Sequence, residues 1–239
     1  MEYVPVLHHK ILWGKMHTYN QQTILDWAYL FQWAGKDDFE RAITGRAGRT
    51  KVIEYNLPRL VKRRKLKTKK IKSFGNRLFY SLVGNRKTSD NAVVHGLYCT
   101  DALIRFHLSK NGDYVSERDF RARRFKPTPE FGVRYEDGKG ALLLFEHSTA
   151  DNFRRKQLID KKIDSYSKGL DQFKKGYCAE PFLVYVIDAP NWEVEELARK
   201  WDHNNFYFTD ATQFYSVPYG EQLSAQIYIW RGEVVNLYA

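Results

Sequence analysis

Apolar positions recur first at the spacing of helices, then of paired strands, then of helices and strands in turn. Ile24, Trp27, Ala28 and Phe31 fall at i, i+3, i+4 and i+7, the stripe one helical face buries. Asn20 is placed to cap that helix and Gly35 to end it. A second, shorter helix is predicted over 37–43, with Phe39, Ala42 and Ile43 inward. Its leading acids, Asp37 and Asp38, suit the positive end of the helix dipole. Thr44-Gly45-Arg46-Ala47-Gly48-Arg49 reads as a turn. A third helix is predicted from about 50 to 65, with Val52, Ile53, Leu57, Leu60 and Val61 as its core face. Pro58 falls inside it, so either the helix kinks there or it begins near Asn56 with Pro58 in its first turn. Alternating strands at 67–73 and 77–83, joined by Phe74-Gly75-Asn76, form a hairpin.

Helix, helix, turn, helix, hairpin is the order of a winged helix-turn-helix. There the third helix enters the major groove and the wing lies along the backbone. Residues 1–90 are assigned to this domain and 85–91 to a polar linker. Residues 91–239 read as a second, α/β (α+β) domain. It has a helix over 95–108, strands at 114–116, 131–135 and 141–147, and a long amphipathic helix over 152–173. A continuous apolar strand follows at 181–187, the mark of a central position, then a helix over 192–201 and a short strand at 206–208. Helices covering a mixed central sheet are the architecture this order predicts.

Charge sharpens the first assignment. Of thirty-nine Lys and Arg, fourteen lie between Arg41 and Arg77, where Glu54 is the one acid. Residues 1–90 hold nineteen basic and seven acidic side chains, and residues 91–239 hold twenty and twenty-one, so the surplus sits entirely in the first third. A dense cationic segment on an otherwise balanced chain predicts a polyanionic partner, DNA or RNA. The predicted contacts are Arg46, Arg49, Lys51, Arg59, Lys62, Arg63, Arg64, Lys65, Lys67, Lys69, Lys70, Lys72 and Arg77, with Arg49 and Lys51 opening the groove helix. An aromatic content of 15% excludes a disordered tail. Two cysteines, the lack of an apolar leader and the lack of any run approaching eighteen apolar residues predict a soluble cytoplasmic protein with no membrane partner.

The candidate chemistry lies in the second domain. Glu130 enters one strand and Glu146 ends its neighbour, so the two carboxylates can converge on Mg²⁺ or Mn²⁺ for phosphodiester hydrolysis. An exposed strand-end glutamate is the competing reading of Glu146. His8-His9, and His95 with Cys99, lack the second pair a zinc site needs. The C-terminal aromatics Tyr215, Tyr219, Tyr228, Trp230 and Tyr238 suit core or homodimer packing, with base stacking as the alternative.

Four stretches, taken in order, resemble the replication-relaxation family of plasmid-borne proteins. They are His95-Gly96-Leu97 opening a helix; Arg121–Phe125 leading into Pro127-Thr128-Pro129-Glu130; Leu143-Leu144-Phe145-Glu146-His147-Ser148-Thr149; and Lys162-Ile163-Asp164-Ser165-Tyr166. The resemblance covers most of residues 20–190. It implies a winged helix joined to a restriction-endonuclease-like domain similar to PD-(D/E)XK nucleases, with Glu130 as first acid, Glu146 as second, and Ser148 where that motif has lysine. The departure at Ser148 implies that the positive charge comes from the next helix, with Lys162 or Lys156 as candidates, and members of the family need not cut DNA. The implied function is a DNA-binding protein of a plasmid or other mobile element, acting in replication or transfer control. Two alternatives stay open: an active metal-dependent endonuclease targeted by its winged helix, and a transcriptional repressor whose second domain dimerises or binds a ligand.

Overall fold

The computed structural model describes residues 21–48, 51–147, 152–202 and 205–238. They divide into two compact units, one ending at Leu108 and one beginning at Ser109. Among the described residues there are eight α-helices, a three-stranded sheet and a mixed seven-stranded sheet.

The first unit comprises α1 (Gln21–Leu30), β1 (Ala34–Gly35), α2 (Lys36–Thr44), α3 (Lys51–Lys62), β2 (Leu66–Ile71), β3 (Arg77–Leu82) and α4 (Asp90–Ser109). Helices α1 to α3 bury Ile24, Trp27 and Ala28; Phe39, Ala42 and Ile43; and Ile53, Leu57 and Leu60, and each packs on the other two. Helix α3 is continuous across Pro58, so it does not begin near Asn56. Pro58 and Glu54 both lie on its exposed side, so the carbonyl deprived of its partner faces water, which limits the penalty. Val52, expected inward, is 39% exposed, because it stands about 100° from Ile53 on the helix.

Strands β2 and β3 pair antiparallel from Leu66↔Leu82 to Ile71↔Arg77. A 3-10 turn at Lys72–Phe74 closes the hairpin with two left-handed residues, Gly75 and Asn76. Glycine and asparagine are the residues that accept this backbone. Strand β1 adds to the far side of β3. The polar run expected as a linker is firmly tied. The Asn85 side chain donates to the Gln32 carbonyl and to Ser81 Oγ, both at 2.8 Å, and Trp33 Nε1 donates to the Lys87 carbonyl at 2.7 Å. Beyond it, Val93 of α4 joins Trp33, Ile71 and Phe79 in one apolar cluster. A Cβ at Gly96 would come within 3.1 Å of Gln32 Cβ, so glycine allows this close approach. The two units meet at the last residues of α4, between Leu108 and Ser109.

His107, on α4, is 4% exposed and packs edge-on against Trp27 with ring centroids 4.9 Å apart. Burial depresses its pKa to about 4. Between pH 6.5 and 4 the unfolded chain therefore takes up a proton that the folded unit refuses, so this contribution to stability is intact above pH 6.5 and lost on acidification. Asp38, raised to about 6 by burial, acts in the opposite direction over nearly the same window. His107→Gln removes only the first effect. Its stability relative to wild type should rise by about 3 kcal/mol between pH 7 and pH 4. Urea unfolding of both proteins across that range is the check, and a constant difference would refute it.

The second unit comprises β4 (Asp113–Ser116), α5 (Glu117–Ala122), β5 (Phe131–Arg134), β6 (Lys139–Glu146), α6 (Asn152–Gly176), β7 (Glu180–Ile187), α7 (Asn191–Lys200), β8 (Phe206–Asp210), α8 (Ala211–Ser216), β9 (Tyr228–Trp230) and β10 (Glu233–Val235). The sheet order is β10-β9-β8-β7-β6-β5-β4. Strands β6, β7 and β8 are parallel, and the remaining neighbours antiparallel. Parallel neighbours need long crossovers, which α6 and α7 supply. Beyond their first residues β6 and β7 are wholly buried, as their unbroken apolar runs predict. Ile159, Ile163, Tyr166 and Phe173 of α6 cluster with Leu142 and Leu144 of β6 and Leu183, Tyr185 and Ile187 of β7. Tyr177 lies against the β5–β6 hairpin where it carries glycine. A Cβ at Gly132 would stand 2.7 Å from the Tyr177 hydroxyl, and one at Gly140 2.5 Å from Cys178 Sγ. The alternation of β6 places Glu146 on the same face as Leu142 and Leu144, so the strand ends with a carboxylate turned towards α6.

Candidate functional site

In the first unit, the flanks of α3 are tied to its neighbours. Gln21 of α1 donates to Asn56 Oδ1 at 3.1 Å and accepts from Arg63 at 2.7 Å. On the other flank Lys36 of α2 pairs with Glu54, and this contact takes up the lone acid of the basic segment. The outward strip between these ties carries Lys51, Val52, Tyr55, Arg59 and Lys62, all exposed. Helix α3 ends where Arg64 turns left-handed. The Arg64 N–H then bonds the Val61 carbonyl and the Lys65 N–H bonds the Leu60 carbonyl, each at 2.9 Å, the double closure of a Schellman cap. Arg46, Arg64, Lys65, Lys70, Lys72 and Arg77 are also exposed.

Two of the expected contacts turn inward. Lys67 donates to the Asn85 carbonyl, and Lys69 donates to the Thr88 carbonyl and pairs with Asp90 at 2.6 Å. Their strand positions direct them to the 85–90 segment, and their charge helps to hold it. Arg49 lies outside the described residues, as do Asn20, His8 and His9.

In the second unit Glu146 is 9% exposed. Lys162 Nζ lies 2.5 Å from its Oε2, and the Tyr185 hydroxyl donates to the same oxygen at 3.4 Å. Lys162 precedes the buried Ile163 on α6, so it stands at the margin of the apolar stripe and can reach the strand end. Glu130 is half-buried, and its N–H donates to the Leu143 carbonyl at 2.9 Å, which fixes it beside β6. Burial pushes the Tyr185 hydroxyl well above its ordinary pKa, and the charges of Glu146 and Glu130 both add to the rise. Tyr166 is raised by burial and then by Glu130. Glu130 and Glu146 thus both act on Tyr185 of β7, and Glu130 acts also on Tyr166 of α6. Ser148 lies outside the described residues. Lys156, the other helix candidate, bonds Glu196 of α7 at 2.9 Å and is directed away from Glu146. His147 pairs with Asp188 at 2.6 Å.

Tyr185 does not emerge from sequence reasoning as a site residue. Its signal is the single polar atom in the apolar run of β7, which a buried strand must satisfy. Tyr55 is likewise absent from the expected contacts, although its spacing from Arg59 by four residues was legible. The carboxylates of Glu130 and Glu146 are oxygen donors of the kind a hard divalent cation takes, and Lys162 sets a positive charge beside Glu146. Among the described residues, no helix is long and apolar enough to cross a membrane. No family model matches the chain, and no curated protein matches it.

Proposed function

We propose that the chain is a DNA-binding protein whose first unit is a winged helix-turn-helix and whose second is a nuclease-like domain that does not cleave. The observation that carries the reading is the outward strip of α3, with exposed Lys51, Arg59 and Lys62 continuing into the cations of the β2–β3 hairpin. A helix lying in the major groove beside a basic wing on the backbone accounts for that distribution. The order α1-β1-α2-α3-β2-β3, with a three-stranded sheet ordered β1-β3-β2, supports the same assignment. The resemblance to the replication-relaxation family adds the setting: replication or transfer control on a plasmid or other mobile element, in the cytoplasm.

The pairing of Glu146 with Lys162 and Tyr185 supports a retired catalytic site, because the carboxylate is already neutralised within the unit. The same contact also supports a second reading. Lys162 supplies the ammonium that Ser148 does not, so Glu130 and Glu146 would hold Mg²⁺ or Mn²⁺ in an active endonuclease. The bound ion would activate water and neutralise developing charge, and Lys162 would balance charge beside it.

Supercoiled plasmid incubated with Mg²⁺ or Mn²⁺ separates the two. Retarded but unbroken DNA, the same with wild type and Glu146→Ala, is the expected outcome. Nicked or linear product from wild type alone would replace it with the nuclease reading. Plasmid that is neither retarded nor cut would remove both.

A further inference from the structure

We infer that Tyr55 and Arg59 form a guanine-reading site on the outer face of α3, a step that rests on the duplex-binding reading above. The guanidinium carbon of Arg59 stands 3.3 Å over the Tyr55 ring, the contact that four-residue spacing on a helix allows. Tyr55 is 56% exposed, so the pair lies on the surface and not in the core. Among the described residues, Arg59 makes no ion pair or side-chain hydrogen bond, which leaves its planar fork of N–H donors available. Stacking fixes the plane of that fork before any ligand arrives, which lowers the ordering entropy of binding. Guanine presents O6 and N7 side by side in the major groove, the acceptor pair such a fork matches.

The surroundings distinguish this arginine from its basic neighbours. Lys51 and Lys62, at the two ends of the same strip, are compact charges suited to phosphate oxygens. Arg59 instead has an aromatic face beneath it and Val52, 39% exposed, on the same side of the helix. An apolar patch beside a guanidinium suits base edges, where a thymine methyl gives Val52 a contact, better than it suits the hydrated phosphate chain. Arg63 is already held by Gln21, and Arg64 lies past the helix end. Arg59 is therefore the arginine on the strip that is both held in place and open at its donor edge.

The test uses the full chain and a randomised duplex library at fixed salt, followed by titrations on a selected and an unselected duplex. Wild type should enrich sites with guanine at one position. Arg59→Ala should lose that preference and bind the selected site about 10- to 100-fold more weakly, with a distinctly smaller loss on unselected duplex. Tyr55→Ala should weaken the guanine preference, and Tyr55→Phe, which keeps the ring, should preserve it. Lys62→Ala should weaken both duplexes equally and reduce the salt slope by about one. Equal weakening of both duplexes by Arg59→Ala, with a shallower slope, would make Arg59 a phosphate contact and overturn the assignment. Retention of the guanine preference in Arg59→Ala would overturn it too. Duplex binding by wild type with no enriched base would end the guanine site and leave the binding reading intact. Absence of any duplex binding would end both.

Discussion

Glu193→Ala should destabilise the second unit by about 3–5 kcal/mol. Glu193 is 1% exposed and Arg155 9%. A single terminal nitrogen of Arg155 donates to both carboxylate oxygens, at 3.0 and 2.8 Å, and the other reaches the Asp188 carbonyl at 3.4 Å. Truncating the acid leaves a largely buried guanidinium with its countercharge gone. The loss is that desolvation penalty, and it exceeds what the pair contributes against an apolar substitute. Arg155→Met combined with Glu193→Leu should therefore recover much of the loss, since neither charge then remains buried. Nearby, Lys156 pairs with Glu196 at 2.9 Å, with side chains 36% and 63% exposed. Glu196→Ala should cost well under 1 kcal/mol because water screens that pair. Urea unfolding at pH 7 gives all the differences, and similar losses at 193 and 196 would contradict the burial argument.

Affinity for duplex DNA should fall by about 10³–10⁵ between 50 and 200 mM salt. Arg46, Lys51, Lys62, Arg64, Lys65, Lys70, Lys72 and Arg77 are exposed, and none is bound to another side chain among the described residues. Lys67 and Lys69 are not in this set, because their ammonium groups are bound within the unit. If eight phosphates are neutralised, their released counterions give a slope of log K against log salt of about −7. Lys62→Ala with Lys65→Ala should make it shallower by about two. Fluorescence anisotropy of a labelled duplex measures both proteins, and a flat salt response would remove the nucleic-acid reading. Partner RNA would show as a matching slope with a preference for the ribose strand.

The long elements were legible because their apolar spacing outweighs local detail. Buried β6 and β7 announce themselves as unbroken runs, and α6 as a sustained stripe. The start of α4 was less legible, because the polar residues before it read as a linker. Ser89 in fact accepts the Ala92 N–H at 3.2 Å, and the Asn85 side chain bonds Ser81 of β3, the Gln32 carbonyl and the Lys87 N–H. Polar side chains serving as caps and pins have the same composition as a loose loop. Helix α5 carried a readable signal, the Ser116–Asp119 capping box, whereas β1, β9 and β10 are two or three residues long and are defined by partners distant in sequence. At the site, Glu130 and Glu146 could be named from strand positions. The contact of Lys162 with Glu146 depends on where α6 returns across the sheet, which no spacing rule specifies. Tyr185 was hidden by its own setting, since a tyrosine within an apolar strand reads as core.

The strand order also sets the rates at which backbone amides exchange with solvent deuterium. Strand β7 has a parallel neighbour on each side and β6 is likewise enclosed, so their amide hydrogens reach water only when the whole sheet comes apart. Strand β10 stands at one edge with Val234 61% exposed, and fraying of a few residues is enough to open it. Labelling should therefore spread from the sheet margins towards β7, and the slowest amides of β7 report the full unfolding free energy of that unit.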